Sequence, residues 1–184
     1  MARNLESLAY IVILLGLLLT GYWLLLPNVP GIVFWPSFAI ITFLWFIYQF
    51  RRNRKDAKRL RKAFEIGIVL VFANIFVNYF FGAVQGGYII EPSYSIFYVL
   101  GNPIELLLGS FFGGAGWFLY VPRKLDKIYS LCDILLLGFF GMMTEIVLIQ
   151  NGILTYLTVD SANAFFTYSG LWLLLHFVYY KVLT

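Results

Sequence analysis

Three ionisable side chains sit inside apolar runs of this chain: Glu105 in IELLLGSFFGG, Glu145 in GMMTEIVLIQNG, and the only histidine, His176, in LWLLLHFVYY. A neutral carboxylic acid in such a run could donate a proton to an electron-rich group, and an imidazole could accept one or pass it on. Amides and rings lie near them in spacing. Asn74 and Asn78 are one helical turn apart, Asn102 precedes Pro103, and Trp172, His176, Tyr179 and Tyr180 recur at steps of three or four. Glu105, Glu145 and His176 are the candidate catalytic groups. Asn74, Asn78, Asn102, Trp172, Tyr179 and Tyr180 are the candidate ligand contacts.

The elements that must position these groups are membrane helices. The composition is 61% hydrophobic and 12% charged, where a soluble domain carries about 25% charged residues. A spanning helix needs about 20 apolar residues. Six segments meet or approach that length: 8–26, 31–50, 64–84, 96–120, 128–149 and 165–183. The fourth carries Pro103 and can begin there. The expected fold is an all-α, polytopic membrane protein, a single domain over residues 1–184.

Basic residues set the orientation. Of the 13 Lys and Arg, eight lie in 51–64, three in 122–127, and the others are Arg3 and Lys181. With six helices all of them fall on one side, which the positive-inside rule makes cytoplasmic. Both termini are then cytoplasmic, in a cell membrane. The 51–63 stretch reads as a topology signal lying on anionic headgroups, with a short helix continuing from a neighbouring span. Nucleic acid is not an expected partner.

A charge at the centre of a spanning helix costs ~2.5–3.5 kcal/mol, so Glu105, Glu145 and His176 must face protein or water, pair, or be neutral. Counting along the helices puts the three in one middle-to-outer band. Asp133 and Glu65 lie nearer the basic side and are expected to snorkel or pair with loop Arg and Lys. Asn102, Glu105, Gly109, Gly113 and Gly116 make a small, polar helix face, and Gly138, Gly141 and Glu145 make another; both allow close approach of a neighbour. GYWLLLP (21–27) matches GWFLYVP (116–122), and paired AF and FVNY/FVYY matches follow. They suggest a 3+3 inverted repeat, although Phe, Tyr and Leu are common enough here to produce such matches by chance.

Two segments resemble known families. YVLGNPIELLLGSFFGGAGWFLY (98–120) looks like the stretch of integral-membrane lycopene cyclases in which a proline-led acidic motif opens a helix. The cyclase motif usually carries a second acid where this chain has Leu106. TEIVLIQNGILTY (144–156) resembles the Glu, Gly, Tyr pattern of membrane carotenoid hydratases. The resemblance implies a polyene or other isoprenoid ligand inside the bilayer. Glu105 or Glu145 would protonate a double bond, and aromatic faces would hold the carbocation.

Other chemistries lack their residues. Cys132 is the single cysteine, which rules out an intrachain disulfide and a cysteine zinc site. There is no phosphate loop and no histidine pair, so no cofactor or metal is expected. Ser110 sits in LLGSFFGG rather than the Gly-x-Ser-Gly of rhomboid proteases. Two non-catalytic readings stay open. One is a small transport protein resembling the vitamin-capturing subunits of energy-coupling transporters, with a ligand under Glu91, Tyr94 and Asp160. The other is a structural subunit whose acids pair with a partner.

Overall fold

The computed structural model describes residues 33–157 and 164–183, with Ala9, Val12, Ile13, Gly16 and Leu17. The first expected span and Asp160 therefore lie outside the described residues, apart from those five positions, all helical.

The described chain is mostly helical. Its helices are α1 (Phe34–Asn53), α2 (Ala57–Val77), α3 (Ile104–Tyr120), α4 (Lys127–Gln150) and α5 (Ala164–Val178). Two of them end in π-helix, Asn78–Val84 after α2 and Tyr179–Leu183 after α5. Among the described residues two stretches are long and apolar enough to cross a membrane, Ala57–Phe80 and Lys127–Gln150.

Local chemistry explains the boundaries. Asp56 caps α2 by accepting from the Arg59 amide at 3.0 Å, and Asp126 caps α4 by accepting from Tyr129 at 3.0 Å. The basic stretch thus ends as the first turns of α2, as its sequence suggests. At the far end of α4, Gly152 takes φ +67. The Ile153 amide then bonds to the Leu148 carbonyl and the Gly152 amide to Ile149. This is a Schellman stop, and its two apolar ends, Leu148 and Ile153, are buried together.

The expected helix 96–120 is shorter. Its first eight residues form a hairpin of β2 (Tyr98–Val99) and β3 (Asn102–Pro103), turned by Leu100 at φ 49 and Gly101 at φ 79. Positive φ at both turn positions is the type I′ geometry that suits a two-residue hairpin. Pro103, lacking an amide hydrogen, then opens α3. A second antiparallel pair joins β1 (Tyr88–Ile90) to β4 (Leu154–Tyr156), with Tyr88 opposite Tyr156.

The helices pack in two groups. α1 and α2 lie on α3, and α4 lies on α5. The glycine faces make this possible. Gly109, Gly113 and Gly116 of α3 receive Phe38, Thr42 and Trp45 of α1, while Gly67 of α2 receives Phe111. Gly138 and Gly141 of α4 receive Ser169 and Tyr168 of α5. This grouping puts the expected fourth span with the second and third; the GYWLLLP stretch that suggests a repeat lies outside the described residues. Trp117, Trp172 and Tyr179, together with the β1–β4 pair, join the groups.

Candidate functional site

The polar groups of the helices form two clusters at opposite ends. The first centres on Asp133, about 9 Å along α4 from Lys127. Trp117 and Tyr120, three apart on α3, both donate to it: Trp117 Nε1 to Oδ2 at 3.0 Å, and the Tyr120 hydroxyl to Oδ1. His176 Nε2 lies 2.8 Å from the same Oδ2. Trp117 is a donor only, so Oδ2 is an acceptor, and an ionised Asp133 requires the proton on His176 Nε2.

This cluster corrects the reading of Asp133. It does not snorkel to the basic loops; its exposure is 0% and that of His176 is 4%. Two cations near this end are engaged elsewhere, Arg123 with Asp56 and Arg59 with the carbonyls of Phe118 and Val121. Glu65 does pair as expected, with Arg61 at 2.9 Å. The aromatic stripe of α5 closes around the pair. Trp117 meets Trp172, His176 and Tyr179 at centroid distances of 5.4, 5.3 and 6.0 Å, and Tyr180 stacks on His176 at 6.0 Å.

The second cluster centres on Glu145. Tyr156 donates to Glu145 Oε2, and its ring meets that of Tyr88 edge-on at 6.3 Å. Tyr88 donates to Asn78 Oδ1, Asn78 Nδ2 to Asn102 Oδ1, and Asn102 Nδ2 to the Leu100 carbonyl at 2.8 Å. Burial pushes the Tyr88 phenol up to about 12, so it remains a donor at neutral pH. Tyr156 is raised for the same reason, burial first and Glu145 second. The π-helix starts at Asn78, in the middle of this chain of contacts; π turns concentrate at functional positions.

Three of the expected site residues, Glu145, Asn78 and Asn102, thus fall on one connected path. Asn74 sits a turn away and donates to Ser110 Oγ at 2.8 Å, tying α2 to α3. Glu105 is separate. Its Oε1 accepts from the Ile96 amide at 2.7 Å and its Oε2 from Ser95 at 2.8 Å, so it anchors the hairpin loop to the first turn of α3. Glu105, Glu145 and His176 therefore do not share one band. Counting from Ala164 at the start of α5 puts His176 about 18 Å along, near the basic end and level with Asp133. Glu91, offered for a soluble ligand, accepts from Ser93 within its own turn.

Sequence reasoning missed Asp133 as a node, and Tyr120, Tyr88 and Tyr168; Tyr156 entered as the tyrosine of the Glu, Gly, Tyr pattern. The Trp117 to Tyr120 spacing, which puts an N–H and an O–H on one face of an apolar helix, was the available signal for a buried acceptor. Among the described residues no group of three His, Cys, Asp or Glu could hold a metal. Comparison with models of known families, with curated proteins and with solved structures finds no match to this chain.

Proposed function

We propose that the chain is a six-span membrane protein, both termini cytoplasmic, that binds an isoprenoid-type lipid within the bilayer and offers Glu145 to it as an acid. Exposed apolar side chains support the membrane setting: Phe72 is 66% exposed, Phe76 63%, Ile128 72% and Phe166 74%. Rows of such residues on helix faces are untenable in water and ordinary in lipid.

The observation that carries the choice of Glu145 is its state of engagement. Asp133 is sealed, and both oxygens of Glu105 are taken by backbone and serine donors. Glu145 is half-buried, and its hydrogen-bond partners are phenols, Tyr156 on Oε2 and Tyr168 beside it, rather than backbone amides. Transfer of its proton to a polyene carbon would form a C–H bond and leave a carboxylate. Tyr156 would stabilise that carboxylate by hydrogen bonding, and tyrosine faces would hold the cation.

Mass spectrometry of organic extracts from the gently purified protein, wild type beside Glu145→Gln, tests this. A specific prenyl or polyene lipid in the wild type, lost or altered in the variant, is expected. Bulk phospholipid alone in both would turn the assignment toward transport or a structural subunit.

A further inference from the structure

At the basic end of the bundle a cavity of about 370 Å³ opens between Gln49, Arg52 and Asn53 of α1, Arg59 of α2, and the segment from Val121 to Lys124. Four of its lining side chains are cationic: Arg52, Arg59, Arg123 and Lys124. The acid beside them is Asp56, which pairs with Arg123.

The end of α3 also faces this space, and helix C-terminal carbonyls repel anions. Here three of the carbonyls at that end are already engaged. Arg59 Nη2 donates to the carbonyls of Phe118 at 3.0 Å and Val121 at 2.6 Å, and Asn53 Nδ2 donates to Leu119 at 3.3 Å. The wall therefore presents cations and N–H donors.

Behind this wall, two buried N–H donors have no acceptor among the described residues. They are Nε2 of Gln49, a residue only 2% exposed, and Nε of Arg59. Burying an amide donor without an acceptor is costly, and an anion seated in the adjoining cavity would supply one. Guanidinium forks, an ammonium and an amide together match the tetrahedral, multiply charged oxygens of phosphate. The cavity's size admits a small ligand or a headgroup.

We infer that this cavity binds a phosphate group, carried by a lipid headgroup or by a soluble phosphate ester. The cavity is remote from Glu145, which lies about 27 Å along α4 from Lys127, so binding here is independent of any ligand there.

The test uses the full chain in two arms. In mild detergent, inorganic pyrophosphate is titrated calorimetrically. In nanodiscs of phosphatidylcholine with phosphatidic acid, native mass spectrometry reads the retained lipid. Each arm compares wild type with Gln49→Leu and with the double replacement Arg52→Gln/Lys124→Gln.

Saturable pyrophosphate binding, weakened at least about tenfold in both variants, identifies a soluble ester. Retention of phosphatidic acid over phosphatidylcholine by the wild type, lost in both variants, identifies a headgroup. Binding of neither probe, or equal binding by wild type and variants, overturns the assignment. Should Gln49→Leu fail to fold, the double replacement, which changes exposed Lys124 and half-buried Arg52, decides alone.

Discussion

At the scale of single residues, Asp133 gathers donors from Trp117, Tyr120 and His176 in a space closed to water. Asp133→Ala leaves all three without their acceptor, and the expected loss is about 3–5 kcal/mol of unfolding free energy in detergent. The neighbouring Cys132 is exposed, so Cys132→Ala is expected to stay within about 0.5 kcal/mol of wild type. Equal effects at the two positions would remove Asp133 from its role as the node. Leu100 gives the opposite sign. It holds φ 49 and is 61% exposed, and a left-handed conformation costs an ordinary L-residue about 1–2 kcal/mol. Leu100→Asn should raise the melting temperature, with a gain of about 0.5–1 kcal/mol; a lower melting temperature would mean that the leucine side chain makes contacts worth more than the strain. The stripe of Trp172, His176, Tyr179 and Tyr180 was legible because helical spacing alone sets it. Asp133 was not, since its partners lie 13, 16 and 43 positions away. Nothing local distinguishes a sealed carboxylate from one that snorkels.

At the scale of elements, the glycines of α3 and α4 were readable as close-approach faces, and they are met by side chains of α1 and α5. Gly67 makes the sharpest test. A Cβ there would lie 2.9 Å from the Phe111 carbonyl oxygen and 2.8 Å from its ring, and the carbonyl cannot rotate away. Gly67→Ala is therefore expected to cost about 1–3 kcal/mol by separating α2 from α3, read as a lower melting temperature.

The cap of α2 adds a pH dependence. The Arg59 amide holds the Asp56 carboxyl below its usual value, with the charge of Arg123 assisting against a smaller opposing effect of burial. A carboxyl depressed in the folded state stabilises fully above its unfolded value, about 3.9, and the contribution disappears as pH falls through the lower folded value. Melting temperature should therefore drop below about pH 4. Asp56→Asn, which keeps a capping oxygen and loses the charge, should flatten that part of the profile. An unchanged acid limb would place the sensitivity in other carboxyls. The start of α3 was half legible: Pro103 announced a boundary, but the hairpin before it depends on Leu100 adopting a backbone state that leucine rarely takes.

At the scale of the whole molecule, the asymmetry of charge is the feature that composition could deliver, and it carries the proposed topology. In a Cys132→Ser background, single cysteines at Lys55 and Lys124 should react with an impermeant maleimide only from the cytoplasmic side. Cysteines at Ser93 and Thr155 should react only from the other. Labelling of all four from one side would refute six spans. The way the helices group was not legible, because short matches between GYWLLLP and GWFLYVP say nothing about which glycine face accepts which ring.

The Asp133 layer has a consequence for biosynthesis. A ribosome delivers α3 first, so the Trp117 N–H and Tyr120 O–H are already present when α4 brings the carboxylate. His176 arrives last, on α5. The acid thus never has to wait for its first donors, and each newly made helix finds its polar partner among those made before it. Trp117→Phe/Tyr120→Phe would reverse that order of supply. The nascent α4 would then carry an unmatched charge until the end of translation, the interval in which quality-control proteases act on unassembled helices.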